Sequence, residues 1–305
     1  MGRRFGQHFL ARKSILEKIA EAACGGAASE GRPERPPQAG GLPHTASADR
    51  EQSTAREQSA DREQGTGRHQ GADRRQDCVV EIGPGRGALT ECLLERAGLV
   101  IAIEIDPMLV LYLRQKFRDA IEAGRLVLVE GDVLKTDIAA LAGGRRAVIA
   151  GNLPYYITSP ILQHVFALGP AWERAVFLVQ AEVAERLAAS PGGRDYGYLS
   201  VLAQVYSRPE VLFAVERGAF RPPPKVDSAV VRLEPRVREG LGDVDAFLKF
   251  ASACFRHKRK TLRNNLAPVY GRERMDALAE GRLRAEQLGV EELVALLRKL
   301  EGENL

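Results

Sequence analysis

The sequence predicts a doubly wound α/β domain followed by a small all-helical domain, with a low-complexity insert near the N-terminus. Three features of the chain lead to this prediction. Short runs rich in Val and Ile alternate with helix-like stretches between residues 78 and 180. Residues 25–77 are almost without strongly apolar side chains, and beyond about residue 240 the apolar positions follow helical spacing. Strands that are apolar on both faces and alternate with helices are typical of a parallel sheet covered on both sides.

The composition fits a globular enzyme that works in the cytoplasm. The chain has 305 residues, of which 45% are hydrophobic and 28% charged, and its formal net charge is +4. No stretch approaches the roughly 20 apolar residues that a membrane span needs, and the N-terminus MGRRFGQHFL lacks the apolar block of a secretory signal. The four cysteines show no CxxC spacing, so we expect buried, reduced thiols with neither a metal site nor disulfides.

The insert has a repetitive, polar sequence. Residues 48–77 can be written as five hexapeptides, each with Arg at its third place and Gln at its fifth. Leu42 is the only strongly apolar side chain between Gly25 and Asp77. Such a segment cannot bury enough surface to offset the entropy of ordering it, so the sequence predicts a disordered insert at residues 25–77. A spacer and a binding arm are both open interpretations, and the composition favours the spacer.

The first predicted strand, CVVEIG, leads into a glycine turn. Gly83, Gly85 and Gly87 allow a tight turn and a close approach of a ligand to the backbone, and the helix that opens at Ala88 presents free amides. Glu104, at the end of the second strand, can accept hydrogen bonds from ribose hydroxyls. The pattern fits a nucleoside-containing cofactor and leaves NAD and S-adenosylmethionine open. Spacing of the GxGxG type rather than GxGxxG favours the methyl donor.

The ends of the next two strands carry further polar residues. Asp132 can accept from an adenine amine, although an Asp at a strand end is also a common turn former. In NLPYY, the Asn152 side-chain oxygen and the Leu153 carbonyl can hold an exocyclic amine with its lone pair free, Pro154 stiffens the turn, and Tyr155 offers a face to a flipped base. A turn with core aromatics is the alternative interpretation. Methyl transfer to adenine, without a strong general base, is the reaction these groups suit.

The C-terminal region carries a run of cations. In FLKFASACFRHKRKTLRNNL, the apolar residues share one face of a predicted helix, and Lys258 adds to a neighbouring basic face. The other members of that face are Arg256, Arg259, Lys260 and Arg263. A solvated charged face is the usual interpretation of such a pattern. Because no acid occurs between the first and last of these cations, we predict contact with RNA phosphates.

The chain resembles the KsgA-type ribosomal RNA adenine dimethyltransferases. The resemblance rests on GQHFL, EIGPGRGALT, IEID, EGDVL, NLPYYITSPI, QAEVAERL, FRPPPKVDSAVVRL and FRHKRKTLRNNL, which occur in the family's order and span nearly all of the chain except the insert. It implies a Rossmann-like methyltransferase domain at residues 78–235 and a helical RNA-docking domain at 236–305. It also implies dimethylation of two adjacent adenosines, by S-adenosylmethionine and without a metal, in a 3′-terminal hairpin loop of small-subunit (16S) ribosomal RNA. The implied partner is the small-subunit (30S) precursor. Nothing in the sequence demands more than a monomer, so we expect the protein to act as one.

The resemblance implies roles for individual residues. Gln7, His8 and Leu10, in the N-terminal segment 1–24, form a wall of the cofactor pocket. Phe220 stacks on the target adenine opposite Tyr155. The residue type alone allows a core position about as readily, and the prolines that follow favour the stacking role. The remaining cofactor contacts are Gly83 in the glycine turn, Glu104 at the ribose, Asp132 at the adenine, and Asn152, which is shared with the target amine.

The sequence leaves three alternative functions open. A resistance-type methyltransferase of large-subunit RNA has the same chemistry, but it more often carries Ile where Leu153 stands and lacks the PPPKVDS block. A nicotinamide oxidoreductase would need catalytic groups that this sequence does not suggest. A ribosome-assembly checkpoint would bind the small subunit and use methylation only for its own release.

Overall fold

A computed structural model describes residues 8–25, 76–237 and 240–302. Gln7 and nearly all of the predicted insert lie outside the described residues, so the predictions made for them stay predictions. Within the described ranges, no helix is both long and apolar enough to cross a membrane.

A mixed seven-stranded sheet lies at the centre of the described chain. The described residues form nine strands in all, seven of them in this sheet. The nine are β1 (Phe9–Leu10), β2 (Gln76–Ile82), β3 (Ala97–Glu104), β4 (Leu126–Glu130), β5 (Ala147–Asn152), β6 (Trp172–Gln180), β7 (Ser207–Val215), β8 (Phe220–Arg221) and β9 (Ser228–Pro235). The sheet has the order β4-β3-β2-β5-β6-β9-β7, while β1 and β8 form a separate antiparallel pair. Strands β2 to β6 pair in parallel, which confirms the prediction for residues 78–180.

The antiparallel edge of the sheet was not predicted from the sequence. Strand β9 runs antiparallel to both of its neighbours, β6 and β7. The loop between β7 and β9 contains no α-helix, and a parallel connection needs such a crossover element. The sheet is therefore parallel only where strands alternate with helices along the chain.

Helices cover both faces of the sheet. They are α1 (Lys13–Cys24), α2 (Ala88–Leu94), α3 (Pro107–Lys116), α4 (Arg118–Glu122), α5 (Ile138–Leu141), α6 (Thr158–Phe166), α7 (Ala181–Ala188), α8 (Tyr198–Tyr206), α9 (Val244–Cys254), α10 (Leu262–Tyr270), α11 (Arg272–Asp276) and α12 (Val290–Glu301). Val80 and Ile82 of β2 point into a hydrophobic cluster with α6, whereas Val79 points into a second cluster with α1. The doubly wound α/β architecture is thus confirmed.

A third hydrophobic cluster holds the C-terminal helices together. It contains residues of α9, α10, α11 and α12, together with Val201 and Val205 of α8. The described residues all belong to one compact unit. The region after β9 is helical as predicted, while the domain boundary at residue 236 stays a prediction.

The prediction of one continuous helix through FLKFASACFRHKRKTLRNNL is wrong. Helix α9 ends at Cys254 and α10 begins at Leu262, so a non-helical turn separates them. The side-chain amide of Asn265 donates to the Cys254 carbonyl at 2.7 Å, which satisfies a helix-end group that a longer helix would have used. Cations spaced by three and four residues would also have repelled one another on one helix face.

Candidate active site

The carboxyl ends of β2 to β5 border a cavity of about 680 Å³. Ligand pockets of enzymes are commonly about 300–1,000 Å³, so this volume suits a nucleoside-sized molecule. The residues predicted from the sequence that line it are His8, Leu10, Gly83, Gly85, Glu104, Asp132, Asn152, Leu153, Pro154 and Tyr155. Segments far apart in the chain therefore meet at the edge of the sheet where a doubly wound fold binds ligands.

The glycine turn is fastened to the end of β3. The Gly85 amide donates to one carboxylate oxygen of Glu104 at 3.0 Å, and the other oxygen accepts from the amides of Ile105 and Asp106, each at 3.0 Å. Glu104 is 2% exposed. Because a carboxylate has about four acceptor positions, one position is left for a hydroxyl of a bound ligand.

Phe9 closes the glycine turn from the other side, and the sequence analysis did not single it out. Gly85 has a φ of +59°, and a Cβ there would lie 3.0 Å from the Phe9 ring. The Arg86 guanidinium carbon lies 5.1 Å from the centroid of the same ring, within cation–π range. The absence of a side chain at Gly85 thus lets the N-terminal strand pack directly on the turn.

Glu81 is a second residue that the sequence analysis missed. It lies in β2, lines the cavity and is 1% exposed. The Thr90 hydroxyl donates to its carboxylate at 2.6 Å. Burial raises the pKa of the Glu81 carboxyl to about 7, an effect that the Thr90 hydrogen bond opposes and the charge of Glu104 reinforces.

We expect Glu81→Gln to stabilise the fold above neutral pH. Between about pH 4.5 and pH 7 the folded protein keeps a proton that the unfolded chain has released, so rising pH favours unfolding. Glutamine carries no charge to bury and still accepts from Thr90. The gain in unfolding free energy over wild type should be small at pH 4.5 and approach about 3 kcal/mol at pH 8. Urea unfolding at both pH values measures it.

The control for this prediction is Glu122→Gln, because Glu122 is an exposed residue. It should change the unfolding free energy by a similarly small amount at both pH values. A Glu81→Gln protein whose advantage over wild type does not grow with pH would contradict the expected linkage.

Asp132 fits both interpretations that the sequence allowed. One carboxylate oxygen accepts from the Leu134 amide at 3.0 Å and caps a short 3₁₀ turn at residues 133–135. Among the described residues no donor uses the other oxygen. That oxygen is available to a ligand in the cavity, which Asp132 lines.

The turn after β5 orients the side chain of Asn152. The Asn152 Nδ2 group donates to the His8 carbonyl at 3.1 Å, which fixes the amide so that Oδ1 points away from that contact. Among the described residues no donor occupies the Leu153 carbonyl. The Pro154 carbonyl accepts from the Thr158 hydroxyl at 3.2 Å and from the Ile157 amide at 3.1 Å, which stiffens the turn. Two acceptors, Asn152 Oδ1 and the Leu153 carbonyl, are therefore left for a ligand.

Hydrogen bonds hold Tyr155 and its neighbour His8 in place. The Tyr155 hydroxyl is hydrogen-bonded to the hydroxyl of Ser228 at 2.7 Å, and burial raises the pKa of Tyr155. The His8 ring lies nearly parallel to the Tyr155 ring, with centroids 6.2 Å apart, and its Nδ1 is 2.9 Å from the Pro222 carbonyl. Ser228 belongs to the PPPKVDS block, so the structure gives that block a contact with the NLPYY turn.

Phe220 is buried beside the cavity region rather than among the residues that line the cavity. Its side chain is 0% exposed, belongs to the hydrophobic cluster around α1, and is not part of the cavity lining. Side chains alternate along a strand, and in β8 the neighbouring Arg221 takes the exposed side. The stacking role of Phe220 on a target base stays a prediction.

The predicted cations do not share one helix face. Arg256, Lys258, Arg259 and Lys260 are exposed on the turn between α9 and α10. Arg263 lies in α10 and is ion-paired with Asp276, and the Lys258 ammonium donates to the Arg194 carbonyl at 2.5 Å. None of these cations lines the cavity. Their contact with RNA stays a prediction.

The cysteines do not take part in the site. All four are buried, and none is joined in a disulfide. Burial raises the pKa of the Cys24 thiol to about 11 and that of Cys254 to about 12. Within the described ranges, no three His, Cys, Asp or Glu residues converge as a metal site requires.

The fold and the cavity together define a Rossmann-like methyltransferase. The family description "Ribosomal RNA adenine dimethylase" matches residues 69–298, and the chain belongs to this family. A protein of Acidobacterium capsulatum named "Ribosomal RNA small subunit methyltransferase A" is 47% identical over 236 residues, covering 74% of this chain and 82% of the relative. The protein of the same name from Pseudomonas aeruginosa is 43% identical over 226 residues, covering 73% and 83%.

Two solved structures share the fold over almost the whole chain. The dimethyladenosine transferase of Plasmodium falciparum superposes with a TM-score of 0.67 at 23% identity, covering 97% of this chain and 98% of the other. The 23S rRNA methyltransferase ErmE superposes with a TM-score of 0.59 at 25% identity, covering 94% and 98%. Of these two names only that of ErmE refers to an RNA, so the shared fold alone does not identify the substrate of this chain.

Proposed function

We propose that this protein uses S-adenosylmethionine to dimethylate the exocyclic amines of two adjacent adenosines in a 3′-terminal hairpin loop of small-subunit ribosomal RNA. The observation that carries the proposal is the Asn152 amide, oriented by the His8 carbonyl beside the Leu153 carbonyl, to which no donor among the described residues bonds. The names of the relatives that share 41–47% of their residues with the chain support the small subunit as the substrate. The role of the reaction is maturation of that subunit.

The cavity fits the proposed methyl donor. One acceptor position of Glu104 suits a ribose hydroxyl, and the unused oxygen of Asp132 suits an adenine amine. Beside them, a Cβ on Gly83 would meet no atom within 4 Å, so a ligand can approach the backbone there. When bound, S-adenosylmethionine supplies a methyl group on a cationic sulfonium, whose carbon–sulfur bond breaks with its electron pair going to sulfur.

The residues of the turn after β5 prepare the target amine. Its nitrogen lone pair is delocalised into the adenine ring, and two acceptors in fixed positions can hold the two N–H groups so that the lone pair is free. Asn152 Oδ1 and the Leu153 carbonyl are suited to this task, since the turn that carries them is stiffened by Pro154. The methylated nitrogen is acidic, so water takes the proton and no strong general base is needed.

A flipped base needs an aromatic surface as well as hydrogen bonds. The Tyr155 ring lines the cavity and is held by Ser228. Stacking on an aromatic side chain is a common way to bind an extruded base. Because the His8 ring lies over Tyr155, we propose that the base either takes the remaining area of the Tyr155 face or displaces His8.

RNA docking is assigned to the basic turn between α9 and α10. Arg256, Arg259 and Lys260 are exposed there. Phosphate contacts by such cations provide affinity, while the cavity selects the base. We further propose that the protein acts as a monomer, because a single chain provides the groups of the site. The proposed partner is the 30S precursor, and the proposed location is the cytoplasm.

The test is transfer of labelled methyl groups to small subunits that lack their native methylation. Large subunits and duplex DNA serve as parallel substrates, and the labelled nucleosides are identified after digestion. We expect dimethyladenosine confined to the small-subunit RNA. Label on large-subunit RNA would instead indicate a resistance-type enzyme. Intact binding with no label on any substrate would indicate an assembly factor.

A further inference from the structure

We infer that Asn265 is a positioning residue for RNA binding, which acts by fixing the shape of the basic turn at residues 255–261. The inference rests on the proposed docking role of that turn. Asn265 itself is 3% exposed and does not reach the surface that RNA would contact. Its effect on RNA must therefore pass through the backbone that it holds.

The Asn265 side chain is hydrogen-bonded to both ends of the first half of the turn. Its Nδ2 group donates to the Cys254 carbonyl at 2.7 Å, where α9 ends, and to the His257 carbonyl at 3.3 Å, inside the turn. Both side-chain protons are thus used on main-chain groups that flank Arg256. This amide therefore helps to fix the direction in which the chain leaves α9, together with the backbone hydrogen bond from the Arg256 amide to the Ala253 carbonyl at 3.3 Å.

The second half of the turn is anchored separately. The Leu262 amide donates to the Leu283 carbonyl at 2.7 Å, and Thr261 forms a β-bridge with Arg284. The Lys258 ammonium reaches the Arg194 carbonyl at 2.5 Å. With Asn265, these contacts fix the turn at several points while Arg259 and Lys260 stay exposed.

The buried amide is hard to explain by packing alone. Leu262 and Leu266, on the same helix, are fully buried in the C-terminal hydrophobic cluster. The Oδ1 atom of Asn265 is buried and has no hydrogen-bond partner among the described residues, and burying an unsatisfied acceptor costs free energy. An apolar side chain would avoid that cost but could not donate to the turn. The two donated hydrogen bonds are what an Asn provides at this position.

A fixed turn matters for binding a folded RNA. Several cations contact several phosphates at once only when their spacing is set in advance, because ordering a loose turn on binding costs affinity. Each lost phosphate contact also lowers the salt dependence of binding, by a slope of about 0.7 to 0.9. Loss of the Asn265 hydrogen bonds should therefore weaken binding and flatten its dependence on salt.

The experiment compares Asn265→Ala with Asn264→Ala, a neighbouring residue on the same helix that is exposed. RNA affinity is measured against salt concentration with unmethylated small subunits, alongside S-adenosylmethionine affinity and turnover at saturating RNA. We expect Asn265→Ala to raise the Kd for RNA about tenfold and to lower the salt slope by about 1. Cofactor affinity and saturated turnover should stay within about twofold of wild type. Asn264→Ala should match wild type in every measurement.

Two further variants keep the test decisive if the alanine protein folds poorly. Asn265→Ser retains one donor and should give a smaller loss of RNA affinity. In a protein with Arg256→Glu, the change Asn265→Ser should cause little additional loss, because the phosphate contact that Asn265 positions is already gone.

The outcomes separate this inference from the proposed function. Unchanged RNA affinity in the Asn265 variants, with a loss on charge reversal, overturns the inference and leaves the docking role of the turn in place. Unchanged affinity in both kinds of variant overturns the docking role itself. Loss of cofactor binding together with RNA binding would show that Asn265 serves only stability and would also overturn the inference.

Discussion

Asn152→Ala should lower methyl transfer at saturating substrates by about 10²–10³-fold. The substitution removes Oδ1, one of the two acceptors left for the target amine, and also the amide that donates to the His8 carbonyl at 3.1 Å. RNA affinity should stay within about threefold of wild type, because the predicted phosphate contacts lie on a different part of the chain. Single-turnover methylation and RNA binding, measured on the same preparations, test both statements.

Asn152→Asp separates the two functions of this side chain. An aspartate keeps an acceptor for the amine but cannot donate to the His8 carbonyl, and its charge repels that oxygen. We therefore expect methyl transfer between that of the alanine variant and wild type, together with weaker cofactor binding as the N-terminal strand loosens. An alanine variant that keeps more than about a third of wild-type turnover would contradict the assignment of the amine to Asn152.

The alanine variant also tests whether binding or catalysis is the main role of the protein. If small subunits mature with Asn152→Ala as well as they do with wild type, binding is the dominant contribution and methylation is secondary. If maturation fails while RNA binding is intact, the methyl groups themselves are needed.

Much of the cavity could be predicted because its residues follow parallel strands. The carboxyl ends of such strands meet at one edge, so Glu104, Asp132 and Asn152 come together once the strand order is fixed by right-handed crossovers. The short Val- and Ile-rich runs identify these strands without any knowledge of long-range contacts. The glycine turn was predicted from the spacing of its glycines, and the φ values of Gly83 and Gly85, +68° and +59°, lie in the region that favours glycine.

The residues that the sequence analysis missed depend on contacts between distant segments. Phe9 lies on a strand of two residues, too short for a readable alternation, and its role appears only when β1 packs on the glycine turn. Glu81 looks like part of an apolar strand until its burial beside Glu104 is known. Ser228 is hydrogen-bonded to Tyr155 although the two residues are 73 positions apart in the sequence.

The prediction of a continuous helix through the basic region was wrong for a related reason. The sequence keeps helical periodicity through residues 255–261. In the structure, however, the Asn265 amide and the ion pair between Arg263 and Asp276 hold the backbone in a non-helical turn. A pattern of i, i+3 and i+4 positions cannot show a helix end made by a side chain from the next helix. The cations are close together in sequence whether they lie on a helix or on a turn. The sequence therefore predicted a cluster of cations but not their positions in space.

Reversing the charges of Arg259 and Lys260 to Glu should weaken binding to unmethylated small subunits on the order of 100-fold at low salt. Both residues are exposed on the basic turn, so the change leaves the hydrophobic core intact. The salt slope of the binding constant should fall by about 2, one for each lost phosphate contact. Methyl transfer at saturating RNA and the affinity for S-adenosylmethionine should stay near wild type, the opposite pattern to Asn152→Ala.

The matched control is reversal of Arg145 and Arg146, an exposed consecutive pair that immediately precedes β5. This pair lies at the amino end of a strand whose carboxyl end borders the cavity, and its reversal changes the net charge by the same amount. Any effect of total charge alone would appear equally in both variants. We expect the control to lose less than about threefold in affinity, with an unchanged salt slope. Equal losses in the two proteins would mean that RNA senses only the overall charge and that the turn between α9 and α10 is not its docking site.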